Sequence, residues 1–227
     1  MPAYFVTGTD TDAGKTLIST GLLALARRQG LTTLGLKPVA SGSEATQAGL
    51  RNADALALQA HSHPAVAYAT VNPYAFAPAI APHLAARHDG IRLTLDDLAN
   101  VLEPSLAERR HLTLVEGAGG WRVPLNDSED LSDLAARLDL PVILVVGLRL
   151  GAINHARLTF DTIAAQGLHI AGWVANQIDP AIAALDDNLA TLARHLPAPC
   201  LGIVPYLGDM PSLALARHAA DHLRLPD

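Results

Sequence analysis

Apolar residues recur along the chain in two alternating modes. Short, nearly continuous apolar runs are strand-sized, and longer stretches carry the spacing of amphipathic helices. The runs at 3–7, 32–36, 112–115, 141–146, 170–175 and 201–204 predict strands. Between them, helical patterns cover 15–28, 52–60, 95–108, 130–138, 152–166, 181–195 and 212–222. Gly30 and Gly167 stand just past two of these segments, where a left-handed residue commonly ends a helix. Thr94 is the expected N-cap of the 95–108 helix, with Asp97 three residues on. Residues 37–49 predict a loop. Residues 62–92, rich in Pro and His, predict an irregular connection with short helices.

Strand, helix, strand at this rhythm predicts βαβ units: an α/β fold with a parallel sheet and helices on both faces. No linker, low-complexity stretch or repeat divides the chain, so a single domain is expected over 1–227. In such sheets ligands collect at the carboxyl ends of the strands.

Composition narrows this. Half of the 227 residues are hydrophobic and only 4% aromatic, which suits helices packed on a parallel sheet. The formal net charge is −6 with no Lys/Arg run, which argues against a nucleic-acid footprint. The single cysteine, Cys200, excludes an intramolecular disulfide and reads as a small apolar residue near a strand. The N-terminus lacks the basic start and apolar stretch of a signal peptide. No segment approaches the roughly 20 apolar residues of a membrane span. A cytoplasmic protein without membrane or nucleic-acid partners is expected.

The candidate chemistry begins in the loop 8–16, GTDTDAGKT, between the first strand and the first helix. Gly14 has no Cβ, so backbone can approach phosphate oxygens. Successive amides and the helix N-terminus supply positive potential. Lys15 reaches the β- and γ-phosphates, and the Thr16 hydroxyl is suited to Mg²⁺. The usual first glycine of such a loop falls on Thr9, with Gly8 one residue earlier. Its place at the first strand–helix turn nonetheless marks it as a site for a nucleoside triphosphate and Mg²⁺.

Other residues leave alternatives open. Glu116 ends the 112–115 strand, where a carboxylate can face the phosphates and hold Mg²⁺. Asp54 is either a second metal-side acid or a helix-terminal acid favoured by the macrodipole. Lys37 either stabilises charge on a transferring phosphoryl group or snorkels at the surface. Ser41 either contacts a substrate or closes a turn. His61 and His63 read as part of a solvated loop rather than a metal site.

Taken in order, these blocks carry a resemblance. Residues 8–16, 37–42 (KPVASG), 49–56 (GLRNADAL), 115–121 (VEGAGGW) and 151–156 (GAINHA) together resemble the dethiobiotin synthetase family. Ala175 with Asn176, and Pro205, Tyr206 and Leu207, fit its later nucleotide-base segments. The resemblance runs to about residue 210 and implies a P-loop NTPase fold. It implies ATP- and Mg²⁺-dependent ring closure of 7,8-diaminononanoate with CO₂, giving dethiobiotin, ADP and phosphate. The implied course is a carbamate, then a carbamic–phosphoric anhydride, then closure by the second amine.

The implied roles follow the matching positions. Thr16, Asp54 and Glu116 hold Mg²⁺. Lys37 and Lys15 are catalytic. Asp12, Ala13, Gly14, Lys15, Thr16 and Leu17 line the nucleotide, with Gly117, Ala118 and Gly119. Asn176 and Gln177 lie at the base, with Pro205, Tyr206 and Leu207. Gln177 stands where some relatives carry Asp, and Ser212 where some carry an acid. Thr11, Lys37 and Ser41 meet the substrate. The family works as a homodimer, so the substrate carboxylate meets Gly151, Ala152, Ile153 and Asn154 of the partner subunit.

Two rivals share the fold class. A partitioning-type or iron-protein-type ATPase carries an extra lysine early in its phosphate loop, where this chain has Asp10. A cobyrinate-type amide synthetase needs a fused glutaminase, for which the 227 residues leave no room.

Overall fold

The computed structural model describes residues 3–208 and 210–227. The chain opens with β1 (Ala3–Gly8), α1 (Lys15–Arg28) and β2 (Thr33–Leu36). The short β3 (Val39–Ala40), β4 (Glu44–Thr46) and β5 (Gly49–Arg51) follow, then α2 (Ala53–His61). Next come α3 (Tyr68–Val71), β6 (Tyr74–Ala75), α4 (Pro82–His88) and α5 (Leu95–Ala107). Strands and helices then alternate: β7 (Leu112–Glu116), α6 (Leu131–Arg137), β8 (Val142–Leu148) and α7 (Ala152–Ala165). The last elements are β9 (Ile170–Gln177), α8 (Leu185–His195), β10 (Cys200–Val204) and α9 (Ser212–Ala220).

Six strands form one sheet in the order β10-β9-β8-β1-β7-β2, every neighbour parallel. All seven residues of β8 are buried, as a strand covered on both faces requires. The two-residue side-chain period sends Phe5 to one face, with Leu36, Val115 and Leu144, under α5, α6 and α7. Tyr4 and Val6 point to the other face, with Ile143 and Val145, under α1, α2 and α9. The expected arrangement of helices on both faces is therefore present.

Chain order reverses around β1. From β1 the chain goes to β2, returns to β7, then crosses to β8 on the other side. Loops after β1, β7 and β8 thus diverge at one carboxyl edge, where a ligand crevice forms.

Several boundaries differ from the sequence expectation. β8 starts at Val142 and runs to Leu148, and β9 continues through Asn176 and Gln177, because pairing of Gly147 with Asn176 and Leu148 with Gln177 extends both strands. α8 starts only at Leu185, since Ala184 takes a left-handed conformation that helix cannot continue through. The expected loop 37–49 holds β3 and β4, and the 62–92 connection holds α3, β6 and α4. Thr94 caps α5 as expected, its hydroxyl accepting the Asp97 N–H at 3.1 Å. His61 is buried at the end of α2, not on a solvated loop, with Nδ1 2.9 Å from the Ala57 carbonyl.

Candidate active site

The phosphate loop is shaped by backbone conformation. Gly14 is left-handed (φ 93°) at the start of α1, and no side chain caps the helix. The first-turn amides stay available for an anion. Asp12 is also left-handed (φ 59°), a conformation uncommon for a residue with a Cβ. A Cβ on Gly14 would collide with the amide nitrogen of Asn176. That amide donates to the Ala13 carbonyl at 2.9 Å, so β9 braces the loop from behind.

Below the loop lies a buried charge cluster. Glu116, fully buried at the end of β7, accepts from the Thr16 hydroxyl at 2.8 Å and from the Lys37 ammonium at 2.8 Å, both on Oε1. Lys37, the residue after β2, also donates to the Gly117 carbonyl at 3.1 Å and pairs with Asp54 Oδ2 at 3.2 Å. Asp54 stands in the first turn of α2, whose N-cap Asn52 accepts the Ala55 N–H at 3.2 Å. The open choice over Lys37 is thereby resolved: it is buried among carboxylates, not snorkelling at the surface.

Electrostatics follow from this packing. Burial alone would lower the Lys37 ammonium, but the Glu116 and Asp54 carboxylates outweigh it and hold its pKa above the ordinary value. Burial alone would raise Asp54, but Lys37, with help from Thr16 and Lys15, brings it below the usual carboxylate value. Lys15 is lowered, first by burial and then by the charge of Lys37. A desolvated cation with a lowered pKa lacks full compensation, as suits a site that awaits a polyanion.

The cluster opens into a cleft of about 870 Å³. Of the residues singled out from the sequence, Thr11, Asp12, Gly14, Lys15, Thr16, Leu17, Lys37, Ser41, Asp54, Ala118 and Gly119 line it. Ala13, Glu116, Gly117 and Asn176 are not on its lining; each contacts it through the hydrogen bonds above or through the loop itself. Gln177, Pro205, Tyr206 and Leu207 do not line it either. Gln177 donates to the Asp179 carbonyl at 3.3 Å, and Tyr206 is 48% exposed. Gly151, Ile153 and Asn154 border a different cleft, of about 570 Å³, at the start of α7.

Sequence reasoning missed part of the wall. Ala79, Ile80, Ala81 and Pro82 line the main cleft, yet they lie in 62–92, where no residue is given a role from the sequence. Apolar residues in an irregular segment carry no chemical signature. Asn52 also lines the cleft. It stood within the motif 49–56, and its spacing before Asp54 and Ala55 is a legible capping signal.

The donor set fits a hard divalent cation. Thr16, Asp54 and Glu116 offer only oxygen, and Glu116 Oε2 is buried with no hydrogen-bond partner. No group of three or more His, Cys, Asp or Glu suited to a metal occurs among the described residues. Two carboxylates and a hydroxyl leave the other positions to phosphate and water, which is how Mg²⁺ is commonly held.

A parallel sheet reversing at β1, an uncapped helix behind a glycine turn and a buried Lys–Glu–Thr cluster define a P-loop NTPase. Solved structures agree at the level of fold. A chain of the MinC:MinD cell division protein complex of Aquifex aeolicus is similar over 96% of this chain and 86% of its own, with TM-score 0.56 and 14% identity. The septum site-determining protein MinD with Mg-ADP from Pyrococcus horikoshii gives TM-score 0.55 at 14% identity, over 97% and 92%. A family model described as "AAA domain" matches residues 2–212.

Sequence relatives are more specific. A protein of Chromohalobacter salexigens named ATP-dependent dethiobiotin synthetase BioD is 66% identical, over 100% of this chain and 99% of its own. Proteins of the same name are 61% identical in Pseudomonas paraeruginosa, over 96% of each chain, and 50% identical in Xanthomonas campestris, over 100% and 99%. The chain belongs to the dethiobiotin synthetase family, whose members are ATP-dependent ligases of biotin biosynthesis.

Proposed function

We propose that this protein closes the ureido ring of dethiobiotin from 7,8-diaminononanoate and CO₂, with ATP converted to ADP and phosphate. The observation that carries the reading is the buried Lys37–Glu116–Thr16 cluster with Asp54, set directly under the phosphate loop. The names of the relatives supply ATP dependence and the product, dethiobiotin.

The chemistry needs no protein nucleophile. One substrate amine takes up CO₂ as a carbamate. A carbamate oxygen attacks the γ-phosphorus, ADP leaves, and a carbamic–phosphoric anhydride results. The second amine then attacks the carbonyl carbon, the C–O bond to phosphate breaks, and the protons pass to solvent. Catalysis is positioning and charge stabilisation.

Residue roles follow the family resemblance, with support from place for those residues that line the cleft. Lys15 and the α1 amides hold the β- and γ-phosphates. Lys37 stabilises the charge that builds on the transferring group, and is poised for it because it is already charged and buried. Thr16, Asp54 and Glu116 would hold Mg²⁺, which when bound offsets phosphate charge as a Lewis acid. Thr11 and Ser41 meet the carbamate end. Gly117, Ala118 and Gly119 border the phosphates. Asn176, Gln177, Pro205, Tyr206 and Leu207 contact the base. Gly151, Ala152, Ile153 and Asn154, at another uncapped helix start, bind the substrate carboxylate across a homodimer interface. The enzyme works in the cytoplasm.

The test is ADP release with ATP, Mg²⁺ and bicarbonate, with and without 7,8-diaminononanoate, and dethiobiotin detected by mass. Diamine-dependent ADP matched by dethiobiotin supports the reading. ADP release that ignores the diamine, with no cyclic urea, sinks it.

A further inference from the structure

The catalytic loop from Lys37 to Ser43 borrows its conformation from a segment without motif. The Lys37 N–H donates to the Val71 carbonyl at 2.7 Å, and the Lys37 carbonyl accepts from Asn72 Nδ2 at 2.8 Å. Both backbone groups of the lysine are therefore held by two consecutive residues. Beyond it, β3 and β6 pair in parallel, Val39 beside Tyr74 and Ala40 beside Ala75. Ser43 N–H donates to the Phe76 carbonyl at 2.9 Å, and Gly42 N–H to the Pro78 carbonyl at 3.0 Å.

A second set of bonds ties this segment to α2. Tyr68 Oη donates to Asn72 Oδ1 at 2.9 Å and accepts the Asn52 N–H at 2.8 Å. Asn52 caps α2 with its Oδ1 and donates from Nδ2 to the Ser41 carbonyl at 3.3 Å. The Arg51 guanidinium sits 4.2 Å over the Tyr68 ring, which fixes the ring's position. Asn72 and Asn52 are both buried, so an unpaired amide there is costly.

We propose that Tyr68 and Asn72 are positioning residues: through Asn52 they fix Lys37, Ser41 and Asp54 relative to one another, and so set the geometry of phosphoryl transfer. The inference rests on the reaction proposed above. The Tyr68 hydroxyl is the one bridge in this set between the helix that carries Asp54 and the side chain that holds Lys37. A hydroxyl that contacts no substrate thereby governs the register of groups that do. Displacements of about 1 Å at such groups cost roughly a hundredfold in rate.

The experiment is steady-state kinetics on the full chain with ATP, Mg²⁺, bicarbonate and 7,8-diaminononanoate. Tyr68→Phe keeps the ring under Arg51 and removes only the bridge; Asn72→Ser removes the side-chain bond to the Lys37 carbonyl and leaves the Val71 backbone bond in place. For Tyr68→Phe, kcat is expected to fall roughly tenfold or more while KM for ATP stays within about twofold. The double variant should lose no more than the worse single, because both cut one network. Leu102→Val, a core change on the buried face of α5, serves as a control that lowers the melting temperature without lowering kcat. If Asn72→Ser fails to fold, Tyr68→Phe alone decides. A Tyr68→Phe kcat within about twofold of wild type, losses that multiply in the double variant, or a loss matched by Leu102→Val would each overturn the proposal. Wild-type protein without diamine-dependent turnover overturns the reaction itself. Wild-type turnover with an unimpaired Tyr68→Phe overturns only the positioning role.

Discussion

The main cleft and the cleft at the start of α7 lie at the same carboxyl edge of the sheet, built on opposite principles. In the first, charge is buried and paired: Lys37 is 4% exposed and Glu116 0%. In the second, apolar surface stands open: Leu150 is 98% exposed and Leu158 59%. Both begin at a left-handed glycine before an uncapped helix, Gly14 before α1 and Gly151 before α7. The shared helix start shows that an anion-binding terminus does not define a site by itself. Paired charges lie beneath the first; on the homodimer proposed above, the second gains its complement from a partner subunit.

The largest effect should come from removing the ammonium that the first region is built around. Lys37→Ala is expected to lower kcat roughly a thousandfold, read as diamine-dependent ADP release. An equal loss with only KM raised would mean that Lys37 binds the ground state, and the contrast between the regions would lose its catalytic meaning.

Glu116→Gln should follow, read as stability. It leaves the Lys37 ammonium buried with only the half-exposed Asp54 as counter-charge, and should cost about 3 kcal/mol in denaturant unfolding. The pH dependence has a definite sign. Asp54 titrates below its unfolded value of 3.8, so its stabilisation is present above that pH and is lost as pH falls through the folded value. Lys37 titrates above its unfolded 10.5, so its contribution holds below that pH and is lost as pH rises through the folded value. Lys15, lowered by burial, opposes Lys37 on the alkaline side. Asp54→Asn should flatten the acid limb of the midpoint–pH curve. An unchanged limb would remove Asp54 from the pair.

The open cleft makes a different claim. Leu150→Glu with Leu158→Glu should shift sedimentation from dimer to monomer, with the melting temperature of the monomer little changed, since neither side chain packs in the core. Wild-type protein that sediments as a monomer would leave the α7 cleft without its proposed role.

These two regions were not equally legible. Strand–helix rhythm fixed the sheet and both helix layers, because βαβ units leave a strong periodic trace. Glu116 and Thr16 were legible since their residue types stand at the end of a strand and behind a glycine turn. Lys37 was ambiguous, because sequence does not reveal whether a lysine after a strand turns inward to a carboxylate. Ala79 to Pro82 and the Tyr68–Asn72 pair were silent: the former are apolar, and the latter act through hydrogen bonds to Asn52 and Lys37, far apart in sequence. The start of α8 was missed because Ala184 is left-handed without being glycine, which no residue pattern announces.

The smallest expected effect tests a side chain that lies between the two regions. Arg149 follows β8, just before Leu150, and its guanidinium pairs with Asp10 Oδ2 at 2.5 Å. Asp10 Oδ1 in turn accepts the Thr11 N–H at 2.8 Å, so the pair reaches into the wall of the main cleft. Both side chains are more than two-fifths exposed, and an exposed ion pair of this kind is worth under about 1 kcal/mol. Arg149→Gln should therefore shift the unfolding midpoint only slightly, and less still in high salt. Its kcat should change by no more than about threefold if each cleft is an independent unit. A larger kcat loss at unchanged stability would show that the open cleft controls the conformation of Thr11. Asp10→Asn, which keeps an acceptor for the Thr11 N–H while discarding the charge, would then reproduce it.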